Sequence, residues 1–472
     1  MSRTNTILCA LLLLGTLAFA NPLQAMWSVA ELRAHDHKSA AMQGTPSQVL
    51  AGVTQPLGAA ECANGRAEVG GIAFDCSDVD LLAFVPVAAL GQESYGSAER
   101  RIEGSDVWGW TSPSTGDEYV LMGKTNATAF FRIVTDDATG LPTLENLGEL
   151  PNPATSFSVW KDIKVRGNHA YIVAEASAHG MQVFDLTTLD GLDEAPDRRH
   201  TAAAHYRDAS NTSHNIVINP DTDWAYIVGG TSGNTVNDVL CGRGGLHFVD
   251  ITDPAAPASA GCSALDLYVH DAQCVTYHGP DTRFTGRELC FNAAEQWVSV
   301  VDVTDKNAPV RLGVFPYTRS SYVHQGWLTE DHRFFLLGDE TDEQRFGFNT
   351  RTMIFDFEDL TSPQLPVEYF GPTTAIDHNM YTRDGLLYQS NYAAGLRVVD
   401  LYDIDDVDND PTNGNELEEV AYFDVFPDND GTSFSGTWSN YPYFDSGVIV
   451  VSGIGEGIFF LKLDDAVTST IE

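Results

Sequence analysis

Four histidines return once per repeat along this chain. His214, His270, His324 and His378 open the segments SHNIVI, VHDAQC, VHQGWL and DHNMYT, at separations of 56, 54 and 54 residues. Each stands at the start of a short apolar run. Neutral imidazole ligates Zn, Cu or Fe, and an open coordination position on such an ion permits Lewis-acid or redox chemistry. If the runs are the innermost strands of repeats around one axis, the four rings meet near one channel mouth. A ligating imidazole also needs an acceptor for its second ring nitrogen. Glu175, Asp339 and Glu340 at the ends of following strands, and Asp271 and Asp377 beside the histidines, are candidates for that second-layer role. The same repetition has a structural reading, in which duplication copied a histidine that bonds a neighbouring backbone or carboxylate. Distance separates the two, because ligands must reach one ion at about 2.0–2.1 Å.

Other residues suggest further chemistry. Trp108, Trp110 and Trp438 fall at the starts of the remaining repeats, and Lys161 and Asp162 open another. Together they predict an aromatic wall opposite the histidines, a pocket suited to a small ligand. Asp406, Asp408 and Asp410 have the alternate spacing of calcium loops, although Pro411 stands where an EF-hand needs glycine. A calcium ion on a looser loop and a solvated acidic loop are both compatible with that run. No G-x-S-x-G, H-E-x-x-H or P-loop motif is present, and the cysteines lack C-x-x-C zinc spacing.

The elements that must position these groups are strands. From about Gly70 onward, short β-branched and aromatic runs alternate with Gly, Pro, Asn and Asp. Third strands recur as GMQVFDL, GLHFVDI, WVSVVDV, RTMIFDF and GLRVVDL, ending in Asp185, Asp250, Asp302, Asp356 and Asp400. Second strands recur as AYIVAE, AYIVGG, ELCFNA, RFFLLG, LLYQSN and GVIVVS. First strands begin at DVWGW, at WKDIKV, at the four histidine segments and at GTWSNY, which makes seven units. The last unit ends at GIFFLKLDD without an outer strand, and VDLLAFVPV near the N-terminus has no unit of its own. The expected fold is therefore all-β, a seven-bladed β-propeller over 61–465, closed by that N-terminal strand.

With these blocks in view the chain resembles the choice-of-anchor B family of LVIVD-repeat bacterial surface proteins. The resemblance rests on CSDVDLLAFVPV, DIKVRGNHAYIVAEASAHGMQVFDL, HNIVINPDTDWAYIVGG, YVHDAQCVTYHGPD, VHQGWLTEDHRFFLLGDE, NYAAGLRVVDL and WSNYPYFDSGVIVVS, and covers roughly residues 60 to 463. It implies an exported propeller and no particular reaction. Members carry differing C-terminal anchors, whereas this sequence stops at TSTIE soon after its last strand, so free secretion or a periplasmic life is expected.

Composition fits export. Residues 1–20 read as a signal peptide, with Arg3 before the apolar run Ile7 to Ala20 and cleavage after Ala20 or as late as Ala25. Residues 26–60 are expected to be weakly structured, and 466–472 form a C-terminal tail. Removal of Cys9 leaves six cysteines, for which proximity favours Cys62–Cys76, Cys241–Cys262 and Cys274–Cys290. A net charge of −40 repels nucleic acid and anionic lipid, and no mature stretch is long and apolar enough for membrane insertion. The expectation is a monomeric exported module that binds a small molecule or protein. Its rival is a metal-dependent enzyme, an oxidoreductase for instance, with four histidines around a transition metal.

Overall fold

The repeated strands close into a ring. The computed structural model describes residues 45–467 except 91–93, 96–97, 100–101, 136–139, 141, 154–156, 208–211, 231–243, 267, 365, 409–415 and 466. Innermost strands Gly104–Thr111, Lys161–Arg166, Asn215–Ile218, Asp271–Thr276, Val323–Leu328, Asn379–Arg383 and Thr437–Tyr441 pack side by side in that order. The last returns to pack on the first, so the arrangement is an all-β propeller.

Each sheet runs outward from its inner strand through antiparallel neighbours, as in Val323–Leu328, Phe334–Asp339, Arg351–Asp356 and Val367–Phe370. Second strands are buried along their length because neighbouring sheets cover both faces. All six positions of Phe334–Asp339 and all seven of Glu118–Lys124 are buried. Between sheets, Phe291 stacks on Phe335 with ring centroids 5.7 Å apart, and each such phenylalanine contributes about 1.5–3 kcal/mol by burial. The aspartates that end the third strands build the turns that follow. Oδ1 of Asp185, Asp250, Asp302, Asp356 and Asp400 accepts the backbone N–H two residues on, at 2.8–3.0 Å.

The expected division into seven equal four-stranded units is corrected by the pairing. Six sheets have four strands, but the unit beginning at Asn379–Arg383 belongs to a seven-stranded sheet. Its outer strand Glu418–Phe423 pairs with Ile72–Ser77, which continues to Arg66–Val69 and Cys62–Ala63. An outer edge that would otherwise offer open N–H and C=O groups is thereby covered. The unit beginning at Thr437–Tyr441 supplies three strands, and Val79–Pro86 pairs with Gly457–Leu463 as its fourth.

Two disulfides with both cysteines among the described residues pin local structure. Cys62–Cys76 joins two strands of the added edge, and Cys274–Cys290 joins residues directly opposite in neighbouring strands. Cys262 is also disulfide-bonded, while Cys241 lies outside the described residues, as do the signal peptide and all of the tail except Val467. Of segment 26–60, residues 45–60 are described; they hold no strand, but Leu57 and Ala60 bridge to Phe84 and Leu81. No described helix is long and apolar enough to cross a membrane.

Candidate metal centre

His214, His270 and His378 immediately precede their inner strands, and His324 is the second residue of its own. Adjacent inner strands bring the rings into one continuous stack, with centroid separations of 4.2, 4.2 and 4.5 Å in chain order. His270, His324 and His378 are buried.

Hydrogen bonds at Nδ1 set the tautomers of the His270 and His378 rings. His270 Nδ1 lies 2.8 Å from the carbonyl oxygen of His324, and His378 Nδ1 bonds the carbonyl of Trp438. A carbonyl only accepts, so Nδ1 must carry the hydrogen in both rings. In a neutral ring this leaves the Nε2 lone pair available. Burial pushes His378 down to about 3, more than the Trp438 bond raises it, so this ring is neutral across the physiological range. His214 Nδ1 pairs with Glu175 Oε1 at 2.8 Å, the carboxylate–imidazole contact that orients metal-binding histidines.

Glu340 draws two of the four into a compact set. Its Oε1 stands 3.9 Å from His324 Nε2 and 3.9 Å from His378 Nε2, and the ligand atoms of the three residues all lie within 4.8 Å of one another. Ligand atoms sharing one ion at 2.0–2.2 Å sit about 3–4 Å apart, so little contraction is required. Tyr392 donates to the same Oε1 at 2.6 Å and fixes the carboxyl. Burial raises Glu340 to about 7, opposed by the Tyr392 hydrogen bond. His214 and His270 extend the stack to one side and are not in this set.

No protein-family model matches this chain, and no curated protein does. Among solved structures, a Bacteroides fragilis protein provisionally named a 6-phosphogluconolactonase is similar, with a TM-score of 0.46 and 13% identity, over 72% of this chain and 88% of that one. The chemistry therefore rests on the residues themselves.

The other expected site residues are spread over three places. Asp339 accepts from Tyr317 Oη, Ser321 N and Tyr322 N, and so shapes the backbone before His324. Asp377 joins Asp342 and Glu343 in a separate buried group. Asp271 lies one level deeper in the channel, where burial raises it to about 8 and the charge of Lys164 lowers it. Asp406 and Asp408 are exposed and belong to no metal-sized set among the described residues, and Asp410 lies outside them.

The aromatic wall expected opposite the histidines is corrected to two levels. Trp438 is at the histidine level, 4.9 Å from the His378 ring. Trp108 and Trp110 are deeper. Asp106 Oδ2 accepts from Ile163 N at 3.0 Å, just as Asp162 Oδ2 accepts from Ile216 N at 2.7 Å. Ser105 and Asp106, not the tryptophans, are thus the counterparts of Lys161 and Asp162. An irregularity between Gly104 and Val107 shifts that register and hides it from repeat counting. Trp108 instead packs on Tyr381, Tyr441 and Tyr443. Trp108, Tyr441 and Tyr443 line a cavity of about 510 Å³ with Trp110, Lys164 and Trp327.

Lys161 occupies the histidine position of its own sheet and is fully buried, with Nζ donating to Ala127 O at 2.9 Å and Asn152 Oδ1 at 2.5 Å. Burial, aided by Lys124, lowers its pKa from the usual 10.5 to about 7. The native state then sheds a proton that the unfolded chain keeps. Its cost is constant below pH 7 and is relieved as pH rises from about 7 toward 10.5. Stability should therefore increase over that window, and Lys161→Met should remove this increment. Denaturant midpoints of both proteins at pH 7 and 9.5 test this, and an unchanged increment in the variant would contradict it.

Sequence reading missed Tyr392 and Lys164. Tyr392 follows a second strand, the place that also supplies Glu175 and Glu340, and this shared position is a signal that counting by repeat can detect.

Proposed function

We propose that this chain is an exported seven-bladed β-propeller of the choice-of-anchor B type, the inner four strands of the seven-stranded sheet being the remaining blade. Its role in this reading is that of a binding module built around one divalent transition metal, Zn, Cu or Fe, held by His324, His378 and Glu340. One observation carries the reading. Two buried imidazoles direct Nε2 at the same buried carboxylate oxygen, and the Nδ1–carbonyl bond of His378 keeps its lone pair there. Without a cation or a shared proton between them, the His378 lone pair would face a carboxylate in a buried site.

Two histidines and one carboxylate leave coordination positions open. A small ligand or a protein side chain would bind through the ion, with His214 and His270 continuing the polar wall and Trp438 providing an apolar one. Polarisation of that ligand, or electron transfer to it, is the enzymatic version of the same reading.

Protein purified without a histidine tag, stripped and reconstituted with Zn²⁺, Cu²⁺ or Fe²⁺ in turn, should retain about one ion per chain after desalting. Fewer than about 0.1 ion per chain with every metal would overturn the proposal and leave the histidines a structural role.

A further inference from the structure

A second cluster lies beside the first and has a different chemistry. Asp342 and Glu343 open the short helix Asp342–Phe346, inserted between the second and third strands of their sheet. Asp377 stands next to His378 at the entry to the following inner strand. The three carboxylates are 0, 1 and 0% exposed, and one oxygen from each lies within 4.8 Å of the others.

Like charges so placed repel strongly in a dry interior, and among the described residues Arg351 relieves this at Asp342 through both Nε and Nη2. Asp342 Oδ2 receives Arg351 Nε at 2.6 Å. The same guanidinium is shared with Glu368 at 2.6 Å and with the carbonyl of Arg319 at 3.0 Å. Among the described residues Glu343 Oε1 accepts a long 3.4 Å bond from Asp377 N. Four oxygens remain buried with no hydrogen-bond partner among the described residues: Asp342 Oδ1, Glu343 Oε2, and both Oδ1 and Oδ2 of Asp377. Space has been kept for Asp377, since a Cβ on Gly338 would fall 1.8 Å from its Oδ2.

Buried oxygens without donors, contributed only by carboxylates, are the donor set of a hard cation and lack the nitrogen that softer metals favour. We propose that Asp342, Glu343 and Asp377 bind one divalent cation of the calcium class. The ion ties the inserted helix to the segment that carries His378. It neutralises charge that Arg351 leaves uncompensated, and it is distinct from the ion assigned to His324, His378 and Glu340.

The test uses the whole mature protein, freed of divalent ions and titrated with Ca²⁺ alone. The melting temperature should rise by about 3 °C or more at about 1 mM Ca²⁺, and bound Tb³⁺ should luminesce and be displaced by Ca²⁺. The Glu343→Gln/Asp377→Asn variant should lose both responses, whereas Asp406→Asn/Asp408→Asn and His324→Ala/His378→Ala should keep them. A wild-type protein that does not respond, or a Glu343→Gln/Asp377→Asn variant that responds like wild type, would overturn the proposal. Should that variant not fold, wild-type crystals soaked in Tb³⁺ decide the matter. An anomalous peak among the three carboxylates is expected, and its absence there counts against the site.

Discussion

Lys164→Met should destabilise the propeller by about 3–5 kcal/mol, the range for removing one partner of a buried ion pair. Below the histidines the channel holds Asp106, Asp162 and Asp271 around this lysine. Its Nζ is 2.6 Å from Asp162 Oδ1, 3.4 Å from Asp106 Oδ2 and 4.5 Å above the Trp108 ring. Burial works to raise Asp162, but Lys164 and the Asp106 hydrogen bond outweigh it, so this carboxyl titrates below its ordinary value. Asp106, where burial dominates, is held well above the carboxylate range. Without the ammonium, Asp162 would remain charged with no cation beside it, or take up a proton and weaken its bond to Ile216 N across two inner strands. Lys164→Met/Asp162→Asn should recover part of the loss, because the orphaned charge is removed with its partner. Urea denaturation of the four proteins in the cycle measures this. A single-variant loss below about 1 kcal/mol would mean that solvent screens the cluster as it does an exposed pair.

Removing a ligand from the histidine level should have its largest effect on metal affinity. His378→Ala or Glu340→Gln should weaken transition-metal binding by more than about 100-fold, exceeding the 10–100-fold typical of residues that only orient ligands. Tyr392→Phe, which deletes the 2.6 Å bond to Glu340, should cost about 10-fold. His214→Ala should cost least, since His214 lies outside the compact set. Competition with a chelating dye gives all four values. Equal losses for His214→Ala and His378→Ala would replace this geometry with a site shared among four histidines.

The parts of this architecture that the sequence displays are those that repeat. Second strands covered on both faces recur, and five third strands end in an aspartate that starts the turn, at separations of 65, 52, 54 and 44 residues. The histidines mark the period most evenly. Features that break the period are hidden. The irregularity at Gly104 to Val107 displaced Trp108 from the level assigned to it. Asp342 and Glu343 sit on an inserted helix with no counterpart among the repeats, and only folding places them beside Asp377. Of the strands from Cys62 to Ser77, only Ile72–Ser77 falls within the stretch legible as β, and none was legible as an extension of a distant sheet, because strand partners far apart in sequence leave no local pattern. Cys274–Cys290 was readable because its residues face each other across adjacent strands of one repeat.

The pairing of Val79–Pro86 with Gly457–Leu463 also governs timing. During synthesis the N-terminal strand emerges hundreds of residues before the partner that completes its ladder. The ring therefore cannot finish while translation is under way, and one open edge persists until the C-terminal unit arrives. Under the proposed export, a chain that crosses the membrane unfolded would have its completion deferred by this connectivity. The same join means that neither Val79–Pro86 nor Gly457–Leu463 can detach without opening the circle, so local loosening of either strand is coupled to loss of the whole.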